Sequence, residues 1–167
     1  MNGESKAWSI GPGELLLDVL RREGYFGVKR GCETGECGAC TVLVNGKPIN
    51  SCLMFAAQAQ GREILTIEGV AYGDKLDPVQ EAFLEYGAVQ CGYCTPGMIL
   101  SAKALLAECS DPTEADVREA LAGNFCRCTG YLKPVEAVLA AARVYRTQAA
   151  KALEERTSQK AKRKRQK

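Results

Sequence analysis

Histidine is missing from the sequence altogether. That absence removes the commonest catalytic base, the commonest zinc ligand other than cysteine, and the imidazole pair of a Rieske-type iron-sulfur centre. Any metal bound here must be held mainly by thiolates. Long apolar runs are missing too: charges interrupt every stretch well short of the roughly 20 residues that span a bilayer, so no membrane association is expected. The N-terminus lacks the basic segment and apolar run of a secretory signal. With nine cysteines and no mark of export, disulfides are not the expected use of the sulfur, and the expected setting is cytoplasmic.

The net charge of +2 is misleading, because six of the 22 lysines and arginines fall within residues 160–167. The remainder of the chain carries more acid than base. A basic run invites a nucleic-acid reading, but no aromatic stacking platform or recognition motif accompanies it. Residues 151–167 are therefore read as a basic, disordered tail, with no nucleic-acid partner.

Residues 6–10 have the composition of a short strand, and Gly11-Pro12-Gly13 then turns the chain. Over residues 14–22, Leu15, Leu16, Val19 and Leu20 make one apolar face at helical spacing. Thr41-Val-Leu-Val44 and Lys47-Pro-Ile49 flank Asn45-Gly46, a strong hairpin signal, and a further strand is predicted over residues 64–67. After Gly73 the β-branched runs give way to Ala, Leu, Glu and Met. Asp77-Pro78 opens a helix that Gly87 closes, and Thr95-Pro96 opens another that ends near Asp111-Pro112. Thr113 with Asp116 forms a capping-box variant, and Lys133-Pro134 begins a last helix reaching at least Tyr145. The shift in composition predicts a sheet domain over residues 1–73 and four helices over residues 74–150.

Cys32, Cys37 and Cys40 have the C-x4-C-x2-C spacing of plant-type ferredoxins, and Cys52 follows the hairpin. A [2Fe-2S] cluster needs four thiolates, two on each iron, and a loop wrapped around it can supply three. Gly31, Gly35 and Gly38 interleave with these ligands, as a loop bringing backbone N–H groups close to sulfur requires, though ordinary turn chemistry also uses glycine. The second set is Cys91, Cys94, Cys126 and Cys128, at two junctions between predicted helices. Placement near a helix N-terminus favours thiolate over thiol. Zinc is the alternative occupant of four thiolates, less so for the first set than for the second. Cys109 belongs to neither set, and buried packing is its expected role.

These motifs, in this order, resemble the small iron-sulfur subunit of the molybdenum hydroxylases, the family of xanthine dehydrogenase, aldehyde oxidoreductase and carbon monoxide dehydrogenase. The matching stretches are Gly31-Cys-Glu-Thr-Gly-Glu-Cys-Gly-Ala-Cys-Thr41, Asn50-Ser-Cys52, Thr66-Ile-Glu-Gly69, Gln90-Cys-Gly-Tyr-Cys-Thr-Pro-Gly97 and Gly123-Asn-Phe-Cys-Arg-Cys-Thr-Gly-Tyr131. Similarity runs over about residues 12–142. The resemblance implies an α+β fold: a plant-type ferredoxin-like β-grasp domain followed by an all-α four-helix bundle, each holding one [2Fe-2S] cluster. It further implies a molybdopterin-binding large subunit and an FAD-binding medium subunit as partners, with Gln90 and Cys128 approaching the pterin. Members of the family usually begin with an extra strand ending in a Val-Asn-Gly-type turn, whereas this chain starts at Met1-Asn2-Gly3.

By that resemblance the chain relays single electrons from a molybdopterin centre through two clusters to FAD and has no catalytic residue of its own. A free-standing two-cluster carrier and a zinc-stabilised interaction module are the alternatives. The Glu-Thr-Gly-Glu loop and Val42-Leu43-Val44 look closest to the bacterial xanthine dehydrogenase-like group, which favours a purine or related heterocycle as substrate of the partner subunit.

Overall fold

The structure is a computed structural model that describes the backbone of residues 1–165 and the side chains of residues 1–151, 153 and 154. Helix α1 (Leu16–Arg22) precedes the hairpin of β1 (Thr41–Val44) and β2 (Lys47–Asn50), and β3 (Ile64–Leu65) completes a sheet of order β2-β1-β3, antiparallel throughout. Four helices follow: α2 (Pro78–Glu85), α3 (Thr95–Glu108), α4 (Glu114–Leu121) and α5 (Leu132–Arg165).

The hairpin forms where Asn45-Gly46 predicts it, with φ of 50° and 79°, the two positive values that a type I′ turn needs. Asn45 also anchors the opposite edge, since its Oδ1 accepts the Glu63 amide at 2.9 Å and its own amide donates to the Glu63 carbonyl at 2.8 Å. All four residues of β1 are buried. Side chains alternate across a strand, and here each face meets a different core. Val42 and Val44 pack with Leu16, Leu17 and Leu20 of α1, while Leu43 joins Val79, Phe83, Met98, Val117 and Val138 of the four later helices. An apolar run in the middle of a three-stranded sheet is thereby explained: β1 is the wall between two cores.

The helix starts follow their caps. Asp77 accepts the Val79 amide at 3.0 Å while Gln80 Oε1 accepts the Asp77 amide at 3.0 Å. Thr113 and Asp116 exchange the equivalent pair of bonds at the start of α4. Asp77 does more than cap, because Lys103 of α3 and Tyr145 of α5 both donate to its carboxylate, at 2.7 and 2.6 Å.

Three expectations need correction. Residues 6–10 form no strand, since no neighbour pairs with their backbone among the described residues; beside them runs a groove lined by Trp8, Ile10, Leu16, Val19 and Ile64. The strand predicted over residues 64–67 is only two residues long. Asn2 accepts the Thr66 amide through Oδ1 and donates to Thr66 Oγ1, and the chain then tightens into a 3-10 turn, Ile67–Gly69. The tail read as disordered is instead continuous with α5 as far as Arg165, because no glycine or proline occurs after Pro134 and Ala, Lys, Glu, Gln and Arg favour helix. For residues 166 and 167 that reading lies outside the described residues. No helix among the described residues is long and apolar enough to cross a membrane.

Candidate metal centres

The first cysteine loop joins α1 to β1. Cys32 Sγ accepts the amides of Thr34 and Cys37 at 3.4 and 3.3 Å, and Cys37 Sγ accepts the amide of Cys32 at 3.4 Å. The Thr34 hydroxyl and then these amides pull the Cys32 thiol down to about 6. Cys40 ends the loop where β1 begins, and Cys52 sits in the 3-10 turn that follows β2. The hairpin register, Thr41 opposite Asn50, sets these two sulfurs side by side. Burial, and then the Cys40 thiol beside it, push Cys52 up to about 11. Asn50 Nδ2 donating to the Gly35 carbonyl at 2.7 Å and Ser51 Oγ donating to the Cys40 carbonyl at 2.8 Å tie the loop to the hairpin.

The second set is assembled by helix packing. Cys91 and Cys94 precede α3, with Cys94 at its N-cap position, and Cys126 and Cys128 lie between α4 and α5. Cys128 Sγ and Cys91 Sγ are 3.6 Å apart, and the Cys94 thiol meets that of Cys126. Burial, then Cys126, raises Cys94 to about 12. Burial is the largest influence on Cys126 and opposes its ionisation, but the Thr129 hydroxyl at 3.1 Å and amide at 3.4 Å, with the Cys128 amide and the Cys94 thiol, together outweigh it and lower that thiol. Contact with Cys91 raises Cys128.

The thiols thus meet two by two: Cys32 with Cys37, Cys40 with Cys52, Cys91 with Cys128, and Cys94 with Cys126. Charge coupling links the pairs into two quartets, Cys52 sensing Cys32, and Cys94 sensing Cys91. Among the described residues no three such side chains converge tightly enough for a single metal ion. Two pairs of sulfurs in each quartet fit a two-iron cluster, in which every iron takes two thiolates. The donor set fits chemically as well, because thiols raised by burial and by neighbouring sulfur ionise when a cation takes the place of the proton.

The four cysteines of each predicted set are neighbours, and Cys109 stands apart at the far end of α3. Cys91 and Cys128 are exposed while Cys94 is buried, so the second quartet opens on one side. Gln90, next to Cys91, is exposed, and its side chain makes no hydrogen bond among the described residues. Sequence reasoning assigned no part to Thr34, Thr129 or Tyr131. Tyr131 Oη accepts the Cys126 amide at 2.8 Å and closes the second loop on itself. The available signal was only that these residues lie inside the quoted motifs.

Gly31 behaves as expected of a loop wrapped around sulfur, since a Cβ there would lie 2.7 Å from Cys37 Sγ. Gly38 is different. Its φ is +64°, and a Cβ on it would lie 2.1 Å from the Gly123 carbonyl oxygen, on the loop that leads to Cys126. The approach that demands this glycine is that of the other cysteine loop.

Comparison with known proteins agrees with two centres. A family described as a 2Fe-2S iron-sulfur cluster binding domain matches residues 1–66, and one described as a [2Fe-2S] binding domain matches residues 66–139. The chain is 54% identical over 134 residues to the nicotinate dehydrogenase small FeS subunit of Eubacterium barkeri, covering 80% of this chain and 85% of that one. It is 54% identical over 130 residues to the xanthine dehydrogenase iron-sulfur-binding subunit of Escherichia coli O157:H7, covering 77% and 82%. Among solved structures, a chain of quinoline 2-oxidoreductase from Pseudomonas putida 86 superposes with a TM-score of 0.84 at 44% identity, covering 87% of this chain and 92% of that one.

Proposed function

The chain belongs to the 2Fe-2S subunits of the molybdenum hydroxylase family, and from that premise we propose that Cys32, Cys37, Cys40 and Cys52 hold one [2Fe-2S] cluster and Cys91, Cys94, Cys126 and Cys128 the other. The single observation that carries this assignment is the meeting of the eight thiols in pairs, two pairs to a quartet. Each cluster, when bound, accepts and returns one electron. The residues around them supply burial and N–H to sulfur hydrogen bonds, both of which tune a reduction potential.

The fold reading is a ferredoxin-like β-grasp unit over residues 1–73 and a four-helix bundle over residues 74–150. The separate cores on the two faces of β1 support it. The partners are a molybdopterin-binding large subunit and an FAD-binding medium subunit, as the relatives' names as small and iron-sulfur-binding subunits of larger enzymes suggest. Gln90 and Cys128 face the pterin in this reading. Support comes from the outward exposure of Gln90, Cys91 and Cys128 at the second quartet. Relatives named for nicotinate, xanthine and quinoline favour a nitrogen heterocycle as the substrate of the large subunit. The reading places the assembly in the cytoplasm, a reducing compartment in which thiolate ligands persist.

Iron and acid-labile sulfide analysis, with paramagnetic resonance of the reduced protein, tests the assignment. Four irons per chain and two distinct signals are expected, and Cys94→Ser removes one signal and spares the other. Loss of both signals, or of neither, would refute separate quartets.

A further inference from the structure

The first cysteine loop touches the two segments of the second quartet, both distant in sequence, at three hydrogen bonds. The Phe125 amide donates to the Cys37 carbonyl at 2.9 Å, Asn124 Nδ2 donates to the Gly38 carbonyl at 3.0 Å, and Tyr93 Oη donates to the Arg30 carbonyl. One peptide separates Phe125 from Cys126. The first of these bonds therefore completes a short bonded route from the sulfur of Cys37 to the sulfur of Cys126.

Asn124 is 2% exposed, with both ends of its amide engaged. Its Oδ1 accepts from Ser101 Oγ at 2.7 Å, and its Nδ2 reaches Thr41 Oγ1 at 3.2 Å in addition to the Gly38 carbonyl. The amide orientation is dictated, because a carbonyl can only accept, and a flipped Asn124 would set oxygen against oxygen at Gly38. Tyr93 holds the other side. Its ring is about half exposed, so burial does not explain where it lies, but its hydroxyl ties the Cys91–Cys94 segment to the residue two before Cys32.

We propose that Asn124 and Tyr93 are positioning residues that hold the two cysteine loops in contact, so that the Phe125 amide to Cys37 carbonyl hydrogen bond joins the two quartets electronically. The proposal rests on the assignment of clusters to those quartets. An electron passing between them oxidises one centre by one unit and reduces the other by one, with no bond made or broken and no proton required. Coupling through bonded atoms falls off more slowly than coupling through a gap, so a separation of the loops weakens it.

The test uses the holoenzyme containing this chain, with Tyr93→Phe and Asn124→Ala. Tyr93→Phe removes only a hydroxyl at a half-exposed ring, so it decides the matter even if Asn124→Ala does not fold. Both variants are expected to keep four irons per chain and the g values of each isolated signal. The magnetic interaction splitting between the two reduced centres is expected to shrink, intercluster transfer to slow, and the Phe125 amide to exchange faster with deuterium. Unchanged splitting and transfer rate in Tyr93→Phe overturn the proposal, even where the melting temperature falls, because that pattern marks a purely structural contact. Fewer than four irons in the unsubstituted chain instead overturns the cluster assignment itself.

Discussion

A Cβ placed on Gly97 would stand 2.5 Å from the carbonyl oxygen of Gly38 and 2.8 Å from Asn124 Nδ2. Gly97 lies in the first turn of α3, where alanine would ordinarily favour the helix by up to about 1 kcal/mol. Here the obstacle is backbone, which cannot swing aside as a side chain can. We expect Gly97→Ala to destabilise the protein by roughly 1–3 kcal/mol, the usual effect of overpacking, and to lower the melting temperature by about 2–4 °C for each kcal/mol. Urea unfolding of the apoprotein measures it. A variant as stable as the parent would mean that the first turn of α3 and the first cysteine loop are not in contact.

Asp77 joins three helices through one carboxylate, since it caps α2 and accepts from both Lys103 and Tyr145. The side chains of Lys103 and Asp77 are 23% and 12% exposed, so the pair is shielded enough to matter and wet enough that it falls short of a fully buried ion pair. Asp77→Ala loses the cap and leaves Lys103 without its counter-ion. The expected cost is about 2 kcal/mol, with Tyr145→Phe nearer 1 kcal/mol. A double-mutant cycle between the two substitutions is expected to show coupling, and strictly additive losses would count against a shared network.

Thr129 donates to Cys126 Sγ from both its hydroxyl and its amide. A donor aimed at a sulfur ligand stabilises the more negative, reduced state of a cluster, so removing the hydroxyl in Thr129→Val makes reduction harder. A hydrogen bond of about 1 kcal/mol corresponds to a fall on the order of 40 mV for a one-electron couple. Redox titration followed by paramagnetic resonance is expected to show the second centre moving and the first staying in place. A shift of both centres, or an upward shift, contradicts the stated role of Thr129.

Acid is expected to act at the start of α4. The Thr113 hydroxyl, and then its amide, hold the Asp116 carboxyl below its ordinary value. A carboxyl whose folded value is depressed stabilises the fold above its unfolded value, near pH 4, and that stabilisation disappears as pH falls through the folded value. Asp116→Asn is therefore expected to melt below the parent at pH 7, with the two converging in acid. A constant gap across pH would show that the loss comes from altered packing instead of from charge.

The capping residues were legible because their bonds are local. Thr113 with Asp116 forms the box that its spacing predicts, and Asp77 caps α2 as the Asp-Pro pair predicts, while Gln80, three residues on, completes a second box that the sequence reading did not include. The hairpin was legible for the same reason, since the positive φ values at Asn45 and Gly46 are a property of those two residues. Residues 6–10 were misread because strand composition does not supply a strand partner, and β3 was overextended because Asn2, more than sixty positions away, takes up Thr66. Gly38 was read as a glycine serving its own loop, although what it accommodates is the backbone at Gly123.

The sequence by itself determined where the helices begin and suggested how the sulfurs group, because caps and ligand spacing are written within short windows of chain. Only the tertiary structure decided that the two cysteine loops touch. That contact depends on β1 offering one face to α1 and the other to α3, on Asn124 reaching Gly38 across 86 positions, and on glycines at 38 and 97 that let backbones approach. The physical reason is that packing brings residues together by the shapes of whole elements, and no local pattern encodes the distance between two loops.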